Sequence, residues 1–472
     1  MNTGISKEII ENVIIHDLGA NGAGVGRIGS MVVFVKNTVP GDVVDISNIN
    51  KKRKHIEAQA IKFHVYSDKR TEPFCTHSGI CGGCSIQNVN YDYQLELKHK
   101  IVSDAFLRIG HFEGLTIPPV LPSPQTTFHK NKLEFSFSNA RWLLDSEINS
   151  DKAILNRTAL GFHYPGKFDK IVDIDECFLQ SSPSNEVRDF VKKYANAHEL
   201  SFYDIRNNRG LLRSLMIRTS NLGETMIALI FGTHEKKNIQ NLLNAIKTEF
   251  PKINSIWYFI NVKQNDSLYD LEPLHFSGDN CIYEQIAHIK IQLGPKSFYQ
   301  TNSSQALNLY QIASDFAGIK KSEIVYDLYS GVGSIALFLA SKAKKVIGIE
   351  TVVESIEEAD NNMKLNNIVN AEFFSGLVEN VFIKDFVSNQ GNADVVILDP
   401  PRPGIHPKVV EALLEVAPAR LVYVSCNPAT QARDIASLAD KYDIIKMQPV
   451  DMFPHTFHIE NVVLLKLKSS QS

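Results

Sequence analysis

Cys426 is the residue of this sequence best placed to act as a nucleophile. It follows the apolar run Val422–Val424 and precedes Asn427 and Pro428, which favour a polar turn over a core position. The reactive form of cysteine is the thiolate, and a free thiol has a pKa of about 8.5. Neighbouring donors or positive charge must therefore help Cys426 to ionise. The alternative interpretation is a small hydrophobic residue at a strand end.

A second group of cysteines has the spacing of a metal site. Cys75, Cys81 and Cys84 form C-x5-C-x2-C in a glycine-containing segment, where the backbone can wrap around a compact group. Cys177, at the end of a predicted strand, is the best-placed fourth thiolate. Four thiolates suit an iron–sulfur cluster or a structural zinc ion, and ordinary buried cysteines are the remaining alternative. The single C-x2-C pair favours a [4Fe–4S] cluster, because zinc ribbons usually have two; Cys281 is isolated and receives no role.

A glycine-containing turn between a strand and a helix predicts a cofactor site. The segment Tyr326–Ser334 contains Tyr329, Gly331 and Gly333. Glycines at such a turn let a ligand approach the backbone and the helix N-terminus. Glu350 ends the next predicted strand, where its carboxylate can accept both ribose hydroxyl groups. This pattern suits NAD as well as S-adenosylmethionine.

Later elements favour S-adenosylmethionine over NAD. Asp399 opens Asp-Pro-Pro-Arg after an apolar strand, at the edge where doubly wound sheets bind ligands. A last strand, Val462–Leu467, follows a hairpin-like region, and an added terminal strand is typical of S-adenosylmethionine-dependent methyltransferases. Amino-group methyltransferases often have an aromatic residue after Asp-Pro-Pro. Arg402 stands there instead, which disfavours methylation of a base amine.

A thiolate, a base and a methyl donor together suit methylation of carbon 5 of uracil. Carbon 5 is a poor nucleophile, but addition of a thiolate to carbon 6 gives an enolate whose carbon 5 attacks the sulfonium methyl group. A base then removes the carbon 5 proton and the thiolate is expelled. Glu460, just before the last strand, can reach the same edge as Cys426. The alternative for Glu460 is a solvated carboxylate, while His455 and His458 are expected to be wall or donor residues.

Three regions with different sequence patterns must position these groups. Residues 1–66 have short apolar runs separated by Gly- and Asn-containing turns, which predicts a small OB-like β-barrel. Residues 67–295 hold the cysteines and an α+β pattern, with a helix over 94–110. Residues 296–472 alternate helices with strands, which predicts a doubly wound, Rossmann-like α/β sheet. The strands expected there are Ile324–Leu328, Lys345–Ile349, Val395–Leu398, Arg420–Val424 and Val462–Leu467.

Composition and charge exclude some classes of protein. The 472 residues include 49 Lys plus Arg against 52 Asp plus Glu, a net charge of −3. This balance argues against a protein that coats nucleic acid or membrane by bulk charge, although a local basic groove is compatible with it. No apolar run of transmembrane length and no signal-peptide pattern is evident. We therefore expect a cytoplasmic monomer without a membrane partner, in a compartment where cysteines more often bind metal or react than form disulfides.

The ordered set of motifs resembles the RNA (uracil-5-)-methyltransferase family over nearly the whole chain. The run Gly22–Arg27 also resembles the TRAM domain of RNA-modifying enzymes. Ser334 is a departure, because some relatives have Asn there. The shared motifs are the cysteine spacing, Ser297–Asn302, Asp327–Gly333, Asp399–Arg402, Ser425–Pro428 and the closing His-x-Glu.

The resemblance implies a class I methyltransferase fold and a role for each motif. Cys426 matches the nucleophile and Glu460 the proton-abstracting base. Relatives with both the cluster and TRAM act mainly on large-subunit ribosomal RNA, which implies 23S rRNA as the substrate and tRNA as the alternative. The cofactor-binding positions implied are Gln300, Tyr329, Glu350 and Asp399, with Gly331 and Gly333 in the loop, and the [4Fe–4S] ligands implied are Cys75, Cys81, Cys84 and Cys177.

Two other classes of protein remain open on sequence grounds. A radical S-adenosylmethionine enzyme would have C-x3-C-x2-C and one iron without a cysteine ligand. This sequence has C-x5-C-x2-C and a candidate fourth cysteine. A non-catalytic RNA-binding protein could use the cluster as structure. For the favoured enzyme, the target base must leave its stack to meet Cys426. The residues expected to contact RNA are Lys51–Lys54, Lys130, Asn131, Lys132, Arg209, Arg213 and Arg218.

Overall fold

The N-terminal region forms a curled six-stranded sheet in a computed structural model that describes residues 8–19, 22–150 and 157–469. The strand order is β1-β5-β6-β4-β3-β2, and alternate residues such as Val33 and Val44 form the core. At Gly24 a Cβ atom would lie 2.0 Å from the Thr38 hydroxyl, so only glycine permits this close packing. The predicted OB-like barrel is confirmed. Its strands are β1 (Ile10–Ile14), β2 (Asp17–Leu18), β3 (Gly24–Ile28), β4 (Met31–Lys36), β5 (Val43–Lys51) and β6 (His55–Val65).

The middle region is built on a seven-stranded sheet, here called the middle sheet, in the order β13-β12-β11-β10-β7-β8-β9. Helices α3 and α4 cover one face, where Leu215 and Leu229 are fully buried. The elements are α1 (Tyr91–Arg108), β7 (Lys132–Ser138), α2 (Asp145–Ile148), β8 (Ala159–His163), β9 (Ile171–Asp173), α3 (Ser184–Ala197), β10 (Leu212–Thr219), β11 (Thr225–Phe231), α4 (Lys236–Glu249), β12 (Ser255–Ile260), β13 (Leu274–Gly278) and the hairpin β14 (Ile282–Ile286)–β15 (Ile289–Leu293).

The C-terminal sheet has the order β18-β17-β16-β19-β20-β22-β21. Its first five strands are parallel, and β22 runs antiparallel between β20 and β21. All five predicted strands are present. The elements are α5 (Ser303–Ala317), β16 (Ile324–Leu328), α6 (Ser334–Ala340), β17 (Lys345–Glu350), α7 (Val353–Leu365), β18 (Ala371–Ser375), α8 (Val378–Val381), α9 (Lys384–Gln390), β19 (Val395–Leu398), α10 (Pro407–Val416), β20 (Arg420–Ser425), α11 (Pro428–Leu438), β21 (Tyr442–Val450) and β22 (Glu460–Leu467).

Helix α1 lies in the middle part of the sequence but packs on the C-terminal sheet. Asn90 caps its first turn, and Val102 and Phe106 are buried against the core formed with α11. The hairpin β14–β15 likewise packs on α7, with Ile289 in the core. The middle region therefore supports the C-terminal sheet from two sides. Among the described helices, none is long and apolar enough to cross a membrane.

Candidate active site

The carboxyl ends of the parallel strands open into a cleft of about 1550 Å³, here called the cleft. Topology explains its position, because ligands of doubly wound sheets bind outside these strand ends. Gly333 is not among the lining residues: it precedes α6 with φ 78°, and a Cβ there would lie 2.8 Å from the ring of Phe373. Seven other predicted site residues do line the cleft: Gln300, Tyr329, Gly331, Glu350, Asp399, Cys426 and Glu460.

Strand pairing places Cys426 and Glu460 at the same edge. Ser425 on β20 pairs with Asn461 on β22, and the two strands are antiparallel. Cys426, which follows Ser425, therefore lies opposite Glu460, which precedes Asn461. Glu460 is 3% exposed, whereas Cys426 is half-buried and open to the cleft. One strand pair thus brings a thiol and a carboxyl group together.

The surroundings of Cys426 keep it protonated in the free protein. Burial raises the pKa of the thiol to about 11, and the carboxyl groups of Glu460 and Asp399 act in the same direction. The positive charge of Arg402 acts in the opposite direction on the pKa values of both Cys426 and Glu460. The side chain of Asn427 fixes the Arg402 segment, because its Nδ2 donates to the Arg402 carbonyl oxygen at 3.0 Å. Arg402 is therefore a group of this chain that favours the thiolate.

Three carboxyl groups give the cleft its electrostatic character: Asp327 and Glu460 are buried, and Asp399 is half-buried. Burial raises the pKa of Asp399 to about 7, and raises those of Asp327 and Glu460 well above the ordinary range. Asp327 Oδ2 accepts a hydrogen bond from the Ala336 amide at 3.0 Å, whereas Oδ1 is buried without a partner in the described chain. Unpaired buried polar atoms are costly. The site is therefore suited to a ligand that brings positive charge and hydrogen-bond donors.

Glu350 ties the glycine turn to the end of β17. Its carboxylate accepts hydrogen bonds from the amides of Gly331 at 3.0 Å and Val352 at 2.9 Å. Tyr329 has φ 67°, a left-handed conformation that is unfavourable for a residue with a bulky side chain. Such strain is typical of ligand-binding turns that the surrounding structure holds in place. The turn is thus pre-formed, with its backbone facing the cleft.

The segment that carries Gln300 is held by side chains of the middle sheet. Asn131 Nδ2 donates to the Gln300 carbonyl oxygen at 2.9 Å, and Arg218 donates to the Ser297 carbonyl oxygen at 2.6 Å. The expectation that Arg213 and Arg218 contact RNA is wrong, because they are 4% and 2% exposed. Charge alone cannot distinguish a solvated arginine on a strand from one that holds a buried loop.

The four cysteines of the predicted cluster lie around one small pocket, here called the cysteine pocket. Cys75, Cys81, Cys84 and Cys177 line it together with apolar side chains. Burial raises the pKa values of Cys81 and Cys84 to about 12, and their negative charges would also disfavour one another. In residues 8–19, 22–150 and 157–469, no three or more His, Cys, Asp or Glu side chains are placed to hold a metal ion. The described residues therefore show no assembled metal site, either for zinc or for a cluster.

Helix α1 anchors the segment that precedes Glu460. Lys98 Nζ lies 2.5 Å from Asp451 Oδ1, and both side chains are fully buried. The Gln94 side chain accepts a hydrogen bond from the His455 amide at 2.9 Å. This anchor is not among the features predicted from the sequence, although a lysine between apolar positions of a helix is a detectable signal. The ion pair fixes the entry into β22.

Replacing Lys98 by methionine is expected to destabilise the fold by about 3–5 kcal/mol, because Asp451 would keep a buried and uncompensated charge. Urea unfolding followed by circular dichroism measures the change. Lys100→Met is the matched control on the same helix: Lys100 is exposed and its partner Asp17 is half-buried, so a loss of at most about 1 kcal/mol is expected. Equal stabilities of the two variants would contradict a structural role for the Lys98–Asp451 pair.

Comparisons with known proteins agree with this site. The family model described as tRNA (Uracil-5-)-methyltransferase matches residues 235–468, and the TRAM domain matches residues 10–59. A protein of Bacteroides thetaiotaomicron, described as an uncharacterized RNA methyltransferase, is 47% identical over 454 residues, which cover 96% of this chain and 100% of the relative. A Porphyromonas gingivalis protein with the same description is 47% identical over 458 residues, which cover 96% of this chain and 98% of the relative.

A solved structure has the same architecture throughout. It is the Pyrococcus abyssi tRNA (uracil-54, C5)-methyltransferase in complex with S-adenosyl-L-homocysteine. The TM-score is 0.75 at 31% identity, and the match covers 97% of this chain and 100% of that chain. The barrel, the middle sheet and the C-terminal sheet are therefore all represented in one known enzyme.

Proposed function

The chain belongs to the RNA (uracil-5-)-methyltransferase family and depends on S-adenosylmethionine, and from this premise we propose that it methylates carbon 5 of a specific uridine in 23S ribosomal RNA. The observation that carries the reaction is the β20–β22 register, which sets Cys426 opposite Glu460 in the cleft. Support for the ribosomal target comes from the combination of a TRAM domain with a cysteine pocket. The Pyrococcus abyssi enzyme favours the second candidate, a uridine of tRNA.

The roles of the two catalytic residues follow from their chemistry. Cys426 first loses its thiol proton to solvent, a step that the positive charge of Arg402 favours. The thiolate then adds to carbon 6 of a uracil that has been turned out of its stack. The ring then carries an enolate, and carbon 5 becomes nucleophilic. S-adenosylmethionine supplies the methyl group. Glu460 removes the proton from carbon 5, after which Cys426 leaves carbon 6 and the aromatic ring is restored.

The cleft fits the methyl donor through charge. S-adenosylmethionine carries a sulfonium and an ammonium group, and the carboxyl groups of Asp327 and Asp399, which line the cleft, offer complementary acceptors. Asp327 Oδ1 has no hydrogen-bond donor among the described residues, so it can accept a hydrogen bond from the ligand. We assign cofactor binding to Gln300, Tyr329 and Glu350, together with the backbone of Gly331. Gly333 has a different role: it permits close packing of the turn against the ring of Phe373.

The cysteine pocket is assigned to a [4Fe–4S] cluster with Cys75, Cys81, Cys84 and Cys177 as ligands. The four thiols line one cavity, and their number matches the four sulfur ligands that a [4Fe–4S] cluster takes. The Gly83 amide already donates to Cys81 Sγ at 3.3 Å, the kind of hydrogen bond that stabilises a ligating thiolate.

Cys81→Ser is expected to reduce bound iron to a small fraction of the wild-type content, because the cluster loses one of its four sulfur ligands. Iron and acid-labile sulfide assays of anaerobically purified protein measure this. Cys281→Ser is the matched control, since Cys281 lies outside the cysteine pocket and should not affect iron. Full iron content in Cys81→Ser would refute the ligand assignment.

The RNA target is tested by mapping 5-methyluridine in ribosomal and transfer RNA from a strain that lacks the gene. We expect one 5-methyluridine to disappear from 23S rRNA and to return with the wild-type gene but not with a Cys426→Ala copy. Loss of the modification from tRNA instead would reject the ribosomal target and support the second candidate. An unchanged set of 5-methyluridines in both RNA classes would reject the proposed function.

A further inference from the structure

The uncovered face of the middle sheet contains a second cavity of about 340 Å³, a volume in the range of small-ligand sites. Its floor is formed by β7, β10 and β11. Ser136 and Ser214 are direct cross-strand neighbours there, with Met216 and Ala228 beside them. The small serine and alanine side chains leave space that larger residues would fill. Two hydroxyl groups thus face the cavity beside apolar side chains, while Lys132 and Glu134 form a charged end of its floor.

The wall of this second cavity is fixed in place by two basic side chains. Arg213 donates to the carbonyl oxygens of Asn261 at 2.7 Å and Lys263 at 2.6 Å. Lys296 Nζ donates to the carbonyl oxygen of Tyr269 at 2.7 Å. These bonds hold the segment 261–271 against the sheet. A pre-formed wall reduces the ordering cost of binding a ligand.

The second cavity is adjacent to the cleft. Tyr269 and Lys296 line both of them. Tyr269 is 68% exposed, and Phe168, which also lines the second cavity, is 65% exposed. Exposed aromatic rings beside a cavity are the platforms on which proteins stack unpaired bases of RNA.

The charges of the second cavity favour a neutral ligand group over a phosphate. Its lysine and arginine side chains have carboxylate partners: Lys132 with Glu134 at 2.7 Å, Arg213 with Asp266 at 2.6 Å, and Lys296 with Glu354 at 3.1 Å. Phosphate recognition requires positive charge that is free to replace counterions. A nucleobase, with flat apolar faces and polar edges, matches this lining.

We propose that the second cavity is a base-binding site for a further unstacked nucleotide of the substrate RNA, close in sequence to the target uridine. Tyr269 stacks on the base, and Ser136 and Ser214 face its polar edge. The proposal rests on the proposed function, because it assigns the cavity to the same RNA. Under this proposal the protein recognises its RNA through two unstacked bases. Base contacts do not require an excess of positive charge, which agrees with the net charge of −3.

Two substitutions test the second cavity, with methylation of total RNA from the strain that lacks the gene as the assay. Tyr269→Ala removes the stacking ring and Ser214→Phe fills the space, and each is expected to raise the KM for RNA about tenfold, as loss of one base–aromatic stack does. Tyr269→Phe keeps the ring, so it should stay within about twofold of the wild-type KM by the same argument. Ser214→Ala keeps the space and loses one hydroxyl group, so its KM should rise by less than that of Ser214→Phe. Calorimetric binding of S-adenosylhomocysteine identifies any variant that has misfolded.

The outcomes separate this proposal from the proposed function. A wild-type protein that methylates no RNA rejects the function itself. A wild-type protein that is active, with Tyr269→Ala and Ser214→Phe both near the wild-type KM, rejects only the second base site. Ultraviolet crosslinking of the wild-type protein to the same RNA gives evidence that does not depend on variant folding. A crosslinked peptide that contains Tyr269 supports the proposal, and crosslinks confined to other segments overturn it.

Discussion

Replacing Cys426 by alanine is expected to lower methyl transfer to RNA by roughly 10⁴–10⁶-fold, the size of effect seen when a covalent nucleophile is removed. Without the addition to carbon 6, carbon 5 of uracil has no enolate to make it nucleophilic. Binding of S-adenosylhomocysteine should persist, because Cys426 lies at the end of β20 and the glycine turn follows β16. Transfer of a radiolabelled methyl group to RNA and calorimetric binding of S-adenosylhomocysteine measure the two properties separately.

Cys281→Ala controls for the general loss of a buried thiol. Cys281 is 9% exposed, and it lies outside both the cleft and the cysteine pocket. This variant should retain wild-type activity. Turnover of Cys426→Ala at the rate of Cys281→Ala would contradict nucleophilic catalysis by Cys426.

Replacing Glu460 by glutamine is expected to trap the reaction after methyl transfer. Cys426 can still add to the base and carbon 5 can still accept the methyl group. The carbon 5 proton then has no base to receive it, so the thiolate is not expelled. Turnover should fall by about 10²–10⁴-fold, the usual contribution of a general base. Denaturing electrophoresis with a labelled methyl group should show RNA covalently attached to the protein.

The position of the label distinguishes the two catalytic roles. Glu460→Gln should retain the methyl group in a protein–RNA adduct, whereas Cys426→Ala should give neither adduct nor product. Glu415→Gln, which changes a carboxylate outside the cleft, serves as the control and should release methylated RNA normally. Release of methylated RNA by Glu460→Gln at the wild-type rate would assign proton removal to another group.

The strands of the C-terminal sheet could be predicted because helices cover both of its faces. Val395–Leu398 is an uninterrupted apolar run, and all four of its residues are buried. Such runs are typical of parallel strands. The sequence also located Cys426 and Glu460 at strand ends. It could not show that they face each other, because that depends on β22 entering the sheet between β20 and β21.

The missed features depend on contacts between distant parts of the chain. The pattern of α1 showed an apolar face but not that the helix packs on α11. Arg213 and Arg218 look like surface charges in a strand, yet their partners come from segments 48 and 79 residues further along. The long-range contacts of Arg213 also hold the wall of the second cavity, so no local sequence pattern predicts this cavity.

The central claim is that Cys426 forms a covalent bond with carbon 6 of a uridine during methyl transfer. The direct test uses the target RNA with 5-fluorouridine in place of uridine, incubated with the wild-type protein and S-adenosylmethionine. Glu460 cannot remove fluorine as it removes a proton, so the adduct should accumulate. Mass spectrometry after protease and nuclease digestion should find a methylated 5-fluorouridine nucleotide on the peptide containing Cys426. An adduct at a different residue, or methylated RNA released without an adduct, would contradict the mechanism.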